Sequence, residues 1–403
     1  MRFAFLVFIA LCFFDSPSAC YGQSAPKAYA SAKLVSKNFG TNLSVEYSRG
    51  VIVLTNVRIS GSDKAYRFIL DSGSDYSLIS EHLADAIGFK PSFSEEITDG
   101  YEKQKVELGF VDIQLDAICF KEVGVGVIYN AQSEKVCDID GYIGYNLMKS
   151  CIWQLSKDQL VVTDKIKNVK KLEAYSKQKL FNGPVVEAGF VDGFNSTMLF
   201  DLGDNGTVEI QESRIDWIRN KQIITGTGRL YTTGLGEGAK KDESIHKLLQ
   251  VSGFKFGGEV VNDMVVYTDD APHFPIDVIG AGILKYYNII LDFPGKRLYS
   301  QNICNTYIND GYKTCGFKYD IVGNEVVIKF IWNHSAAREA GLKIGQKIES
   351  INDTDVHDLR NQEACEAYNR VDALLEQEVV SLKIQGVDDR ITLTRSPLFK
   401  SKE

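Results

Sequence analysis

The chain reads as short apolar runs broken by Gly, Asn and Asp, a pattern of strands joined by tight turns. Val51 to Leu54 opens it. Val106 to Leu115 alternates apolar and polar residues with one slip at Phe110-Val111, as a half-buried strand does. Phe68-Ile69-Leu70 has no polar face and predicts a fully buried strand. Helical signals are sparse: Ser80 caps a segment running to Ile87 before Gly88, and a short helix follows Gly144. Residues from about Ser24 to Lys37 are polar and Ala-rich and predict a poorly ordered lead-in, and the Lys-rich stretch from Thr163 to Lys179 reads as a connector.

One apolar run ends in a carboxylate. Asp71 follows Leu70 at the strand's end, where Ser72 and Gly73 turn the chain and leave the carboxylate unobstructed, and Ser72 and Ser74 offer hydroxyls to orient it. A second stretch repeats this: Met198-Leu199-Phe200-Asp201-Leu202-Gly203 again runs apolar strand, Asp, one residue, Gly. Each is followed by a pair of apolar residues closing on Gly before a short helix, at Tyr142-Ile143-Gly144 and Val278-Ile279-Gly280. Strands around Leu160 and Leu298 then close each half, and the small length difference between the copies fits inside the helix. The second half is therefore a copy of the first, which changes the architecture to expect.

At 403 residues the chain is long enough for two or three domains, and 44% hydrophobic with 24% charged residues is ordinary for a globular protein. A formal net charge of -8 excludes nucleic acid as a natural partner, since phosphate binding needs basic surface. With 5 His and no close His or Cys cluster, no metal site is expected. Residues 1–22 read as a signal peptide: Arg2, an apolar run from Phe3 to Phe14, then small residues to Gly22. Export to a periplasmic or extracellular location is the expectation, with a membrane anchor only if Cys20 is lipidated. Six cysteines remain beyond the leader, with Cys304 and Cys315, or Cys119 and Cys137, as near-neighbour pairs among 15 pairings that sequence leaves open.

From Leu43 to Gln301 the paired motifs resemble the aspartic peptidases of the retropepsin-like and pepsin-like group. The resemblance implies a mainly β fold with two duplicated closed β-lobes, residues 40–165 and 180–301. Each lobe contributes one catalytic carboxylate, Asp71 and Asp201, to a shared cleft. Ser72, Gly73, Ser74 and Gly203 would support the catalytic loops, no cofactor is implied, and the substrate would be a peptide or unfolded protein. Two residues depart from the family. Leu202 stands where a Thr or Ser hydroxyl would clasp the opposite loop, and Asp204 adds a third acid. A non-catalytic peptide-binding protein that keeps the cleft is the alternative. Substrate-covering flaps are expected around Thr98 to Tyr101, Thr225 to Gly228 and Thr233 to Gly238, each of which also reads as a hairpin turn.

After Ser300 the pattern changes. Cys315-Gly316-Phe317 precedes a strand at Val326 to Ile331, and Ser335-Ala336-Ala337-Arg338-Glu339-Ala340-Gly341-Leu342 leads to Ile348-Glu349-Ser350-Ile351-Asn352. This resembles a bacterial PDZ domain, a small α+β unit over residues 312–398, with Gln346 where Asp is common. The resemblance implies a loop at Gly316 and Phe317 that holds the C-terminal carboxylate of a peptide ligand; a module acting only as a spacer or lid is the other reading.

Overall fold

Strand pairing organises this chain. The computed structural model describes residues 27, 29–48, 50–98, 103–128, 139–228, 244–269, 276–304, 312–356 and 364–399. The first lobe is one nine-stranded sheet. Its main members are β1 (Val51–Ile59), β2 (Tyr66–Leu70), β3 (Ser77–Ser80), β4 (Phe93–Thr98), β5 (Lys103–Leu115), β6 (Ile118–Ile128) and β7 (Gly141–Ile143). Helix α1 (Glu81–Ala86) starts where the Ser80 side chain accepts from the Leu83 N–H at 3.2 Å, and α2 (Tyr145–Met148) follows Gly144. β7 is parallel to β2 and antiparallel to β3, so it runs between the strand before Asp71 and the strand after it. The β5–β6 pairing shifts register between Val111 and Ile113, beside the slip in the alternation, as a β-bulge requires.

The lead-in departs from expectation. Lys33 and Leu34 pair with β6, and Tyr29 is buried, its ring stacked 4.7 Å from Phe110 and 5.8 Å from Phe93. Its polar composition hid one aromatic anchor and an edge-strand pairing. The Lys-rich connector likewise forms two short 3-10 turns and a strand, Ser176–Lys179.

The first lobe ends in β8 (Ile152–Leu155) and β9 (Leu160–Thr163). The second lobe then runs through β10 (Val185–Phe190), β11 (Asn195–Asp201), β12 (Val208–Gln211), β13 (Lys221–Gly228), β14 (Ser244–Val251), β15 (Val265–Asp269), β16 (Asp277–Gly280), β17 (Tyr287–Asp292) and β18 (Arg297–Asn302). β16 is parallel to β11 and antiparallel to β12, the same arrangement as β7 in the first lobe. β8 pairs with β17, joining the halves in a six-stranded sheet that also holds β9, β18, Gly40–Asn42 and Ser176–Lys179. One apolar core, with Phe68, Trp153, Phe200 and Tyr287 at its centre, is continuous through both lobes.

The C-terminal unit comprises β19 (Phe317–Val322), β20 (Glu325–Trp332), α3 (Ala336–Glu339), β21 (Lys347–Ile351), α4 (Ala364–Leu375), β22 (Val379–Ile384) and β23 (Ile391–Thr394). It has its own core around Ile328, Ala337, Ile351, Val371 and Leu382. β20 also pairs with β13, so the second lobe and this unit share one sheet. Thr225 to Gly228 are therefore strand residues rather than a turn. Thr98 ends β4, while residues 99–101 and 233–238 lie outside the described residues. Cys119 and Cys315 are thiols, so neither near-neighbour disulfide forms.

Candidate active site

Alternation along β2 and β11 sets the site. Phe68 and Leu70 of β2, and Phe200 of β11 with Leu202 just beyond it, join the shared core while Ile69 and Leu199 do not, so alternation puts Asp71 and Asp201 on the other face. The Asp71 N–H donates to Ile143 O at 3.0 Å, tying the turn to β7. The two carboxyls meet between Gly73 and Gly203. The Gly73 N–H donates to Asp71 Oδ1 at 3.0 Å and to Asp201 Oδ1 at 3.2 Å, so one backbone amide contacts both. The Ser74 N–H adds a bond to Asp71 Oδ1 at 3.1 Å, and the Gly203 N–H one to Asp201 Oδ1 at 2.8 Å.

Both glycines are dictated by space. A Cβ on Gly73 would stand 2.3 Å from Asp201 Oδ2, and one on Gly203 would stand 2.7 Å from the Asp71 carboxyl carbon. Only hydrogen permits this approach.

The hydroxyls of Ser72 and Ser74 are used differently from the expectation that they orient the carboxylate. Ser72 Oγ donates across to Phe200 O at 2.6 Å and accepts from the Leu202 N–H at 3.0 Å. Ser74 Oγ donates to Tyr76 O at 2.8 Å. Backbone amides do the orienting, and Ser72 clasps the lobes. Leu202 has no hydroxyl to return the clasp and is fully buried in the shared core.

Burial raises both dyad pKa values; for Asp71 the negative charge of Asp201 adds to it, and the amide bonds oppose it. Two carboxyls in contact retain one proton between them and titrate as a pair. Asp204 and Glu209 extend the acidic environment. Asp204 accepts from the Gly206 N–H at 2.8 Å through Oδ1, while Oδ2 is buried with no hydrogen-bond partner, 2.6 Å from where a Cβ on Gly280 would stand. Burial, helped by the charge of Asp201, pushes its carboxyl to about 7. Glu209 is pushed to about 8 by burial and by the charges of Asp204 and Asp201.

Glu209 escaped sequence reasoning. Its strand pairs Glu209 with Val278, as β3 pairs Leu78 with Tyr142, so an acid occupies the place of a buried leucine. The alternation Val208-Glu209-Ile210 was the available signal, since it turns Glu209 away from the core residues Val208 and Ile210 and onto the face of Asp201.

Gly316 and Phe317 belong to the C-terminal unit. Gly316 has φ +95° and donates its N–H to Thr314 Oγ1 at 3.0 Å, and Phe317 is buried in that unit's core. Between β19 and α4, Tyr319 Oη donates to Asp372 Oδ1 at 2.6 Å, Tyr368 bonds Asp320, and the Ile321 N–H donates to Tyr368 Oη at 3.3 Å.

Residues 55–147, which include Asp71 and the β7 segment, match a family described as aspartyl protease. With the duplicated lobes, this makes the fold aspartic-peptidase-like. A search of curated proteins finds no match. Among solved structures, the chain is similar to an aspartic proteinase from Irpex lacteus, at 11% identity and a TM-score of 0.42, over 67% of this chain and 99% of that one.

Proposed function

We propose that the protein is an aspartic endopeptidase that hydrolyses peptide bonds with Asp71 and Asp201. The observation that carries this reading is the contact between the two carboxyls under a common Gly73 amide. With one proton shared, the ionised member draws a proton from a water molecule as its oxygen bonds to the peptide carbonyl carbon. The protonated member donates to the carbonyl oxygen. Collapse of the tetrahedral intermediate breaks the C–N bond, the leaving nitrogen takes a proton, and the dyad returns to its single-proton state. Acid and base come from one residue type because mutual repulsion keeps their ionisations apart.

Cleavage of an unfolded protein, inhibited by pepstatin and abolished by Asp71→Asn or Asp201→Asn in folded variants, is the test. Binding of peptides without cleavage would favour the non-catalytic reading, which Leu202 and the extra acid at Asp204 support.

For the C-terminal unit, the reading is a PDZ domain that takes an extended peptide end between β19 and α4. Such a strand would have to displace Tyr368 from the Ile321 N–H. Titration with peptides bearing free or amidated C-termini tests it; equal binding of the two ends counts against it. The leader at residues 1–22 supports export. No helix among the described residues is long and apolar enough to cross a membrane.

A further inference from the structure

We propose that the C-terminal unit is a working wall of the peptidase cleft, and that Phe330, Trp332 and Asn333 are positioning residues acting through β13 and β14. The inference rests on the peptidase reading above and adds a second structural requirement to it.

Three observations meet at the junction. The first is backbone pairing: Gly226, Thr227 and Gly228 of β13 pair with Trp332, Ile331 and Phe330 of β20. The Asn333 N–H then donates to Thr225 O at 2.8 Å, and Asn333 Nδ2 donates to Thr225 Oγ1 at 2.7 Å. The second is space. A Cβ on Gly226 would stand 2.2 Å from Phe330 Cζ and 2.7 Å from Trp332 Cε3, and Gly228 combines φ +130° with a position 2.2 Å from Lys329 O. Gly226 serves the close approach of two aromatic rings, and Gly228 that of the β20 backbone. The third is burial: Phe330 and Trp332, 4.6 Å apart and edge-on, join the core of the two lobes rather than that of their own unit. Tyr312, Leu398 and Phe399, from the two ends of the unit, join it too, and the Tyr312 ring packs 6.0 Å from Tyr267.

The pairing register connects this junction to the dyad. In order across the sheet, β20 pairs with β13, then come β14, β15, β12, β16 and finally β11, which ends at Asp201. Residues paired directly across share a face, as do residues two apart along a strand. Following those rules, Phe330 and Trp332 share a face with Gly226 and His246, then with Leu248, Tyr267, Glu209, Val278, Leu199 and Asp201. Domains joined only by a linker move relative to each other by default. Here a sheet ladder and a shared apolar core replace the linker, so the position of β13 and β14 relative to the dyad is set from outside the second lobe.

The test uses the full-length protein. Gly226→Ala inserts a methyl group between β13 and the two rings while suiting strand backbone. Asn333→Ala removes one side-chain bond, and Asn333→Asp, which can restore it in the reverse direction by accepting from the Thr225 hydroxyl, is the conservative rescue. Turnover of an unfolded protein and of a short peptide is measured beside amide hydrogen exchange over residues 221–228, 244–251 and 66–70. The expected result is faster exchange in β13 and β14, unchanged exchange in β2, and a rise of about 3- to 10-fold in KM for the unfolded protein with kcat changed less. Asn333→Asp should return KM towards the wild-type value. Loosened exchange with wild-type kcat and KM, or slow exchange in all variants with unchanged kinetics, overturns the proposal. A wild-type protein that neither cleaves nor binds pepstatin overturns the peptidase reading itself, and this inference with it. A wild type that binds pepstatin without cleaving moves the readout to Kd, which must weaken in Gly226→Ala for the proposal to stand.

Discussion

Ser72 clasps Leu202 from one side only: its hydroxyl accepts from the Leu202 N–H at 3.0 Å and donates to Phe200 O at 2.6 Å. All three groups sit in the buried interface between the lobes. Ser72→Ala leaves a donor and an acceptor unpaired there, at a cost of about 1–3 kcal/mol. Urea unfolding should show that loss, and turnover should fall with it because the same bonds hold the two Asp loops in register. Ser72→Thr keeps the hydroxyl and should recover most of both.

Gly73→Ala is expected to act on chemistry more than on stability. Gly73 does not need a left-handed backbone, so the only conflict is the new Cβ against the Asp201 carboxyl, 2.3 Å away. Displacing that carboxyl by an ångström should lower kcat by about 100-fold. Turnover measured beside the unfolding midpoint separates the two effects; full activity in the variant would mean the dyad tolerates the displacement.

Asp204 links stability to pH. Its folded-state pKa, raised to about 7, lies above the ordinary carboxylate value of 3.8. Between those values the folded state holds a proton that the unfolded state has released, so stability falls as pH rises from about 4 to about 7. At 1.36 kcal/mol per unit, the full span corresponds to about 4 kcal/mol. Glu209 and the dyad, raised in the same way, add to the slope, so Asp204→Asn should make it shallower without abolishing it. Denaturation curves of variant and wild type should converge in acid and separate at neutral pH, with the variant more stable there.

The same group should shape the pH–rate profile on one side only. In acid Asp204 is neutral and exerts no charge on the dyad, so the acidic limb of Asp204→Ser should match the wild type. As pH rises towards 7 it ionises, and a negative charge there opposes loss of the dyad's remaining proton. The alkaline limb of the variant should therefore move down. Profiles that superimpose on both sides would show that Asp204 does not tune the dyad.

Much of this arrangement is legible in the sequence because strand, Asp, x, Gly is a local signal. Phe68 to Gly73 and Met198 to Gly203 carry their strand, turn and carboxylate in adjacent residues, and the Ser80 cap is equally local. What escaped depends on distant partners. Gly226 and Gly228 read as turn residues until β20, about a hundred residues later, is seen pressed against them, the rings of Phe330 and Trp332 on Gly226 and the backbone of Lys329 and Phe330 on Gly228. Tyr29 sits in a stretch whose composition suggests disorder, yet one ring stacked on Phe110 fixes it. Ser74 looks like a carboxylate ligand by proximity, but its side chain turns to Tyr76 O while its backbone N–H serves Asp71.

The parallel pairing of β2 with β7 also bears on how the protein is born. Asp71 is anchored through Ile143, more than seventy residues downstream, and the strand bearing Asp201 pairs with Asp277 to Gly280 only after a similar wait. β8 finds its neighbour β17 later still, across the boundary between the halves. Long-range contacts of this kind form slowly, since the loops they close must be ordered first. A nascent chain emerging N-terminus first would carry Asp71 without Asp201, and Asp201 without its supporting strand, until nearly three hundred residues exist. Hydrolytic competence would then arrive late and all at once, which protects a peptidase from cutting its own unfinished copies.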